Sequence, residues 1–348
     1  MAIQDWKNKI TVKTRGYEKA TYSPPDDDKP GGARRWGLTA LLAIILLYTV
    51  VGWYWSREPD IKVFERSTSS ATGAMTVTAL ANVVDYLLEK PGGYLSNDLM
   101  PPGLLLDNIP SWEYGVIIQV RDLTKALRES FARSQSQSIE DKDLALAEPR
   151  FNFDHESWVL PATETEYREG IDFLQGYLKR LIDDDEYNAQ FYARADNLRY
   201  WLSTVETRLG SLSQRLGASV GRRRLDTALA GDSAARQTTS SPSDNYLKTP
   251  WLELDNVFYE ARGTSWALIQ FLKAVEVDFA TVLAKKNAAV SVRQIIRELE
   301  ATQAQMWSPI ILNGGGFGLM ANHSLTMVSY ISRANAAIID LRELLAQG

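Results

Sequence analysis

The stretch Trp36–Trp55, WGLTALLAIILLYTVVGWYW, decides how the rest of the chain is read. Its twenty residues carry no charge, and a helix of that length rises about 30 Å, the thickness of bilayer hydrocarbon. Trp36 stands at one end and Trp53, Tyr54 and Trp55 at the other, where amphipathic rings favour the headgroup region. The run is too long for a secretory signal, begins well inside the chain and lacks a small-x-small cleavage site. A buried core helix is the remaining alternative. The expectation is a membrane-spanning helix.

Flanking charge sets its orientation. Arg34 and Arg35 abut the stretch, and residues 1–35 carry eight basic against five acidic side chains. The far side opens with Arg57, Glu58, Pro59 and Asp60. Basic flanks stay in the cytoplasm, so the N-terminus is expected inside and residues 56–348 outside, in the periplasm of a Gram-negative cell. With the whole chain at −5 and the tail at +3, the exported part carries −8.

Composition narrows the chemistry. The 348 residues are 45% hydrophobic and 23% charged with ten Trp, enough apolar side chain for a folded core. An acidic balance argues against nucleic acid as a partner. The absence of Cys removes disulfides, thiolate zinc sites, iron–sulfur clusters and cysteine nucleophiles. No motif calls for a cofactor or a metal.

Residues 1–35, with Ser23-Pro24-Pro25-Asp26-Asp27-Asp28-Lys29-Pro30, read as a disordered cytoplasmic tail, and 56–73 as a stalk. From residue 74 the apolar period is helical. Val77, Leu80, Val84, Leu87 and Leu88 form one face, stopped by Pro91-Gly92-Gly93. Val116, Val120, Leu123, Leu127 and Phe131 form a second, with Ser111 as N-cap. Tyr167, Ile171, Leu174, Leu178 and Leu181 form a third. A long fourth runs from Tyr187 and Phe191 to Leu216, after Asp183-Asp184-Asp185-Glu186, an acidic run suited to a helix N-terminus. Residues 217–249 read as a mobile loop, with Arg222-Arg223-Arg224 a solvated charge run or a contact for anionic headgroups. The period resumes over Phe258–Val282, Val292–Met306 and Leu325–Leu345. Strand patterns are confined to 115–120 and 309–312. The expected class is all-α: one N-terminal transmembrane helix, then a bundle of six to eight helices in two halves, 74–216 and 250–348.

Three stretches carry a family resemblance: Pro91-Gly92-Gly93-Tyr94-Leu95-Ser96-Asn97-Asp98, Phe151-Asn152-Phe153-Asp154 with Trp158, and Asn313-Gly314-Gly315-Gly316-Phe317-Gly318. On these the chain resembles domain-of-unknown-function family 2333, single-pass inner-membrane proteins of proteobacteria. The resemblance implies location and architecture and brings no catalytic or binding residues with it.

Two clusters are candidate binding sites. In Asn313, Gly314, Gly315, Gly316, Phe317 and Gly318, the glycines Gly316 and Gly318 together with Ala321 fit G-x-G-x-x-A. A dinucleotide turn requires a βαβ unit, and the preceding segment reads as helix. The turn fits better as a loop joining two helices, or as bare backbone that docks a partner. The second cluster is Asp154, His155 and Glu156, with Glu164 and Glu166 downstream. Carboxylates beside an imidazole can do acid–base work or hold a divalent cation. The plainer reading is a loop histidine and acids at a helix start. His323, beside Ser324 with no nucleophile elbow, reads as a surface or capping residue.

These readings converge on a non-enzymatic inner-membrane protein, in contact with the lipid bilayer, whose periplasmic helices bind envelope proteins as a scaffold or assembly component. Self-association stays open. One rival is an envelope hydrolase using Asp154, Glu156 or Glu164, which needs carboxylates about 5–10 Å apart. Another is an apolar-ligand binder with a cavity of roughly a few hundred Å³.

Overall fold

The computed structural model describes residues 32–60, 71–134, 138–183, 185, 188–224, 245–308, 310–315 and 318–347. The chain divides into two compact units, residues 1–47 and 48–348. Helix α1 is Gly32–Trp55. Every residue from Trp36 to Val50 is exposed, which removes the core-helix alternative, because a helix inside a soluble fold covers its apolar side. By length and composition α1 can cross a membrane. It begins before the apolar run, so Gly32–Arg35, expected in the tail, are helical; hydropathy does not mark a helix start. The rest of the tail, residues 1–31, lies outside the described residues.

Nine further helices follow among the described residues, against six to eight expected. They are α2 (Ala74–Glu89), α3 (Asn108–Ala126), α4 (Lys142–Phe151), α5 (Thr163–Leu181), α6 (Ala195–Gly217), α7 (Leu254–Asp278), α8 (Ala280–Lys285), α9 (Ala289–Ala301) and α10 (His323–Ala346). The class is all-α.

The core is built on α3 and α7, which run antiparallel with their backbones in contact. A Cβ at Gly263 would overlap the carbonyl oxygen of Trp112, and one at Gly115 would overlap that of Glu260. Glycine permits this approach, and Thr264 Oγ1 donates to the Gly115 carbonyl across it. The rings of Trp112 and Trp266 lie 5.2 Å apart beside the seam, both fully buried. Around this pair, α2 packs on α7 and α5, α4 on α5, α6 on α10, and α9 on α10 and α7. The N-terminus of α2 is capped from a distance: Asp278, the last residue of α7, accepts from Thr76 N at 2.7 Å and Thr76 Oγ1 at 2.6 Å.

Several expectations are corrected. Asp183 and Asp185 follow α5 rather than start α6, which begins at Ala195; Asp184, Glu186 and Tyr187 lie outside the described residues. Asp183 accepts from Asp185 N and Asn188 Nδ2, a turn that uses the acid locally instead of at a helix end. Phe191 is no helix-face residue: it precedes α6 and packs edge-on against Phe131 and Phe279. The series Phe258–Val282 breaks between α7 and α8 at buried Phe279, whose ring fills that aromatic cluster. Ser111 sits inside the first turn of α3, its hydroxyl donating to the Asp107 carbonyl. Helix α4, absent from the periodic reading, is capped by Asp141, which accepts from Asp143 N and Leu144 N. The segment 115–120 lies within α3. The span 217–249 is structured at both ends: Ala218–Val220 form a 3-10 turn, and Arg222–Arg224 pair antiparallel with Asn245–Leu247. Residues 225–244 lie outside the described residues, as do 61–70 of the stalk.

Candidate functional site

Two of the quoted stretches meet, and a buried charge explains how. Lys90, following α2, places its ammonium 2.7 Å from Glu113 of α3, with both side chains fully buried. An isolated ion stripped of water is costly, so such a pair survives only with its remaining hydrogen-bond capacity filled. Glu113 accepts from Leu95 N at 2.9 Å, Ser96 N at 2.8 Å and Ser96 Oγ at 2.5 Å, and Lys90 donates to the Gly93 carbonyl at 2.6 Å. The turn Pro91–Ser96 is thereby wrapped around one carboxylate. Gly92 (φ 88°) and Gly93 (φ 74°) hold left-handed conformations that side chains disfavour, and the Trp55 ring leaves no room for a Cβ at Gly92.

From this turn two side chains reach the second stretch. Tyr94 donates its hydroxyl to the His155 carbonyl at 2.9 Å, and burial pushes its ionisation well above the ordinary tyrosine value. Asn97 donates to the Ser157 carbonyl at 2.9 Å and to Glu164 Oε2 at 2.8 Å. From α3, Arg121 donates to the carbonyls of Phe151, the last residue of α4, and of Phe153, two residues past it. The loop carrying Asp154, His155 and Glu156 is therefore held by three anchors.

Between these loops and helices α3, α6 and α7 lies a cleft of about 340 Å³. Its lining includes Ser96, Tyr114, His155, Glu156, Arg215 and Glu260. The His155 ring lies 5.0 Å from that of Tyr114. Asp154 and Glu156 flank the imidazole at 3.9 and 3.7 Å, both largely exposed, while Glu164 is engaged by Asn97 and Glu166 by Arg150. Arg215 grips Glu260 with both terminal nitrogens. Burial, reinforced by Glu113 and Glu164, raises the Asp98 carboxyl above its ordinary value. Both serine hydroxyls on the rim are committed, Ser96 to Glu113 and Ser111 to Asp107. The cleft presents paired charges and hydrogen-bonding edges, an arrangement that suits recognition of a polar chain. Among the described residues no group of three or more His, Asp or Glu is placed to hold a metal ion.

None of the described residues of the glycine turn lines this cleft. Gly316 and Phe317 lie outside the described residues. The rest closes a small hairpin before α10: Asn313 bridges Asn322, Gly314 N donates to the Ala321 carbonyl, and Gly318 N to that of Gly315. His323 N donates to the Leu312 carbonyl, and Leu312 N donates to His323 Nδ1 at 2.9 Å. Asn322 caps α10 through Leu325 N and donates to Gly314 O at 2.6 Å. The element before the turn is α9 and a loop, so the βαβ context of a dinucleotide site is missing among the described residues.

Over residues 30–348 the chain matches the family described as "Uncharacterized protein conserved in bacteria", DUF2333. It belongs to that family. No curated protein and no solved structure matches it. In this DUF2333 member the match covers α1, the cleft and the hairpin alike. Sequence reasoning placed His155 and Glu156 at a site and missed Lys90, Glu113, Tyr114, Arg215 and Glu260. One signal was available: Glu113 stands on the apolar stripe of α3, between Ile109 and Val116, where a charge needs a buried partner.

Proposed function

We propose that the chain is a single-pass protein of the bacterial inner membrane whose periplasmic helical domain binds envelope proteins as a scaffold or assembly component. The observation that carries this reading is the uncovered apolar length of α1, from Trp36 to Val50, which water would not tolerate and lipid would. The Arg34-Arg35 pair beside the span supports a cytoplasmic N-terminus. A binding role is favoured over a reaction because Glu156 in the cleft and Asp154 beside it are exposed, Glu164 is engaged by Asn97, and the cleft's Arg215 and Glu260 are paired with each other.

The test is a pair of fusions after Gly348, joined by proximity labelling from the same end. An exported phosphatase should be active there and a cytosolic fluorophore dark, with a small set of envelope proteins labelled. A silent phosphatase with a bright fluorophore overturns the topology. Labelling no richer than that of an unrelated membrane-anchored control overturns the scaffold role.

A further inference from the structure

Within the second unit, one residue of the apolar stretch Trp36–Trp55 is buried: Gly52. Its cover comes from the α2–α3 connection, with Pro102 Cβ and Leu106 Cδ2 at 3.6 and 3.8 Å from where a Cβ of Gly52 would stand. Around Pro102 that connection turns four large apolar side chains outward: Leu99, Met100, Leu104 and Leu105 are 57%, 71%, 59% and 72% exposed. No charge interrupts residues 99–106; Asp98 and Asp107 bracket them.

We infer that this loop is a second membrane contact, its four side chains immersed in the leaflet where α1 ends. The inference rests on α1 crossing the bilayer. Gly52 stands directly before the aromatic end Trp53–Trp55, about 1.5 Å along the helix from Trp53. A side chain touching Gly52 therefore lies at the inner edge of the headgroup level, and its exposed neighbours meet the boundary between headgroups and acyl chains. Interfacial segments bury their apolar face about 5–10 Å into that boundary. The occupant is lipid because the loop packs directly on the helix whose preceding residues, Trp36 to Val50, are all uncovered. Asp107, which is exposed, marks where the loop returns to water.

The absence of native cysteine makes the test direct. The full chain is reconstituted in phosphatidylcholine–phosphatidylglycerol vesicles with an environment-sensitive fluorophore on Leu104→Cys, and separately on Leu99→Cys. References are Leu42→Cys in the span and Leu146→Cys, exposed on α4. Doxyl-labelled lipid is expected to quench both loop positions about twofold or more, as it does Leu42→Cys, and to leave Leu146→Cys bright. Quenching at Leu42→Cys without quenching at either loop position overturns the loop contact and leaves the span standing. No quenching at any position overturns the span and the inference together. Loop positions shielded from aqueous iodide but untouched by doxyl lipid show a second copy or another protein as the occupant, which also overturns it.

Discussion

Arg262, on α7, holds Glu58, three residues past the end of α1, with Nε at 2.8 Å and Nη2 at 2.6 Å from the carboxylate. The same guanidinium donates to the carbonyls of Thr302 and Ala304, so one planar fork ties the segment after the helix, α7 and the end of α9 together. Both side chains are mostly buried. The residues read as the start of a stalk are thus built into the domain.

Arg262→Ala leaves a nearly buried carboxylate unpaired and two carbonyls without donors. It is expected to cost about 3–5 kcal/mol. Arg262→Lys restores the charge but not the fork and should recover less than half of that. Thermal unfolding of the full chain in detergent, followed by circular dichroism, measures both; equal melting temperatures for Arg262→Ala and the parent would refute the assignment.

Lys90→Met removes the partner of a fully buried carboxylate and is expected to cost a similar ~3–5 kcal/mol. Glu113→Gln should cost about as much, because it leaves the buried Lys90 ammonium without a counter-charge and a single amide oxygen replaces the two that Lys90 and Ser96 N use. The double variant should be less damaging than the two single losses added. Additive losses in a double-mutant cycle would show that the pair is not coupled.

Gly263→Ala forces a methyl into the Trp112 carbonyl and should destabilise by about 3 kcal/mol, the upper range for overpacking. Gly210→Ala makes the contrast: its nearest neighbour is Asn335 Nδ2 at 3.7 Å, so the change should be neutral or stabilising by up to about 1 kcal/mol. Denaturant midpoints of the two variants should move in opposite directions or differ by that margin.

Burial lowers His323 below the ordinary histidine value, and its Nδ1 accepts from Leu312 N only while unprotonated. With the folded value depressed, the stabilisation is complete above about pH 6.5 and is lost as the pH falls through the window beneath it. In a His155→Gln background, leaving His323 the one histidine, the imidazole resonance should titrate below pH 6.5 and the Leu312 amide should shift with it. A midpoint at or above 6.5 would refute the contact.

How far these features could be read beforehand depends on what signals each one. The apolar helix, the faces of α2, α3, α5 and α10, and the all-α class follow from hydrophobic period, because burial in a helical core is what that period records. Helix α4 escaped because ten residues with three apolar contacts and an internal Pro149 leave too short a pattern. The start of α6 was misplaced because an acidic run is as much at home in an Asx-type turn as at a helix N-terminus. Of the site, His155 and Glu156 were visible as a local cluster. The Lys90–Glu113 pair joins residues 23 positions apart, and Arg215–Glu260 residues 45 apart, and no local pattern announces a partner at that distance.

The glycine seam between α3 and α7 has one more consequence. Tyr114 on α3 and Asn256 and Glu260 on α7 face the same cleft, and their helices are pressed together at Gly115 and Gly263 with no side chain between them. The gap from wall to wall is thereby a backbone dimension, beyond the reach of side-chain exchange, whereas the chemistry on each wall can be rewritten one residue at a time.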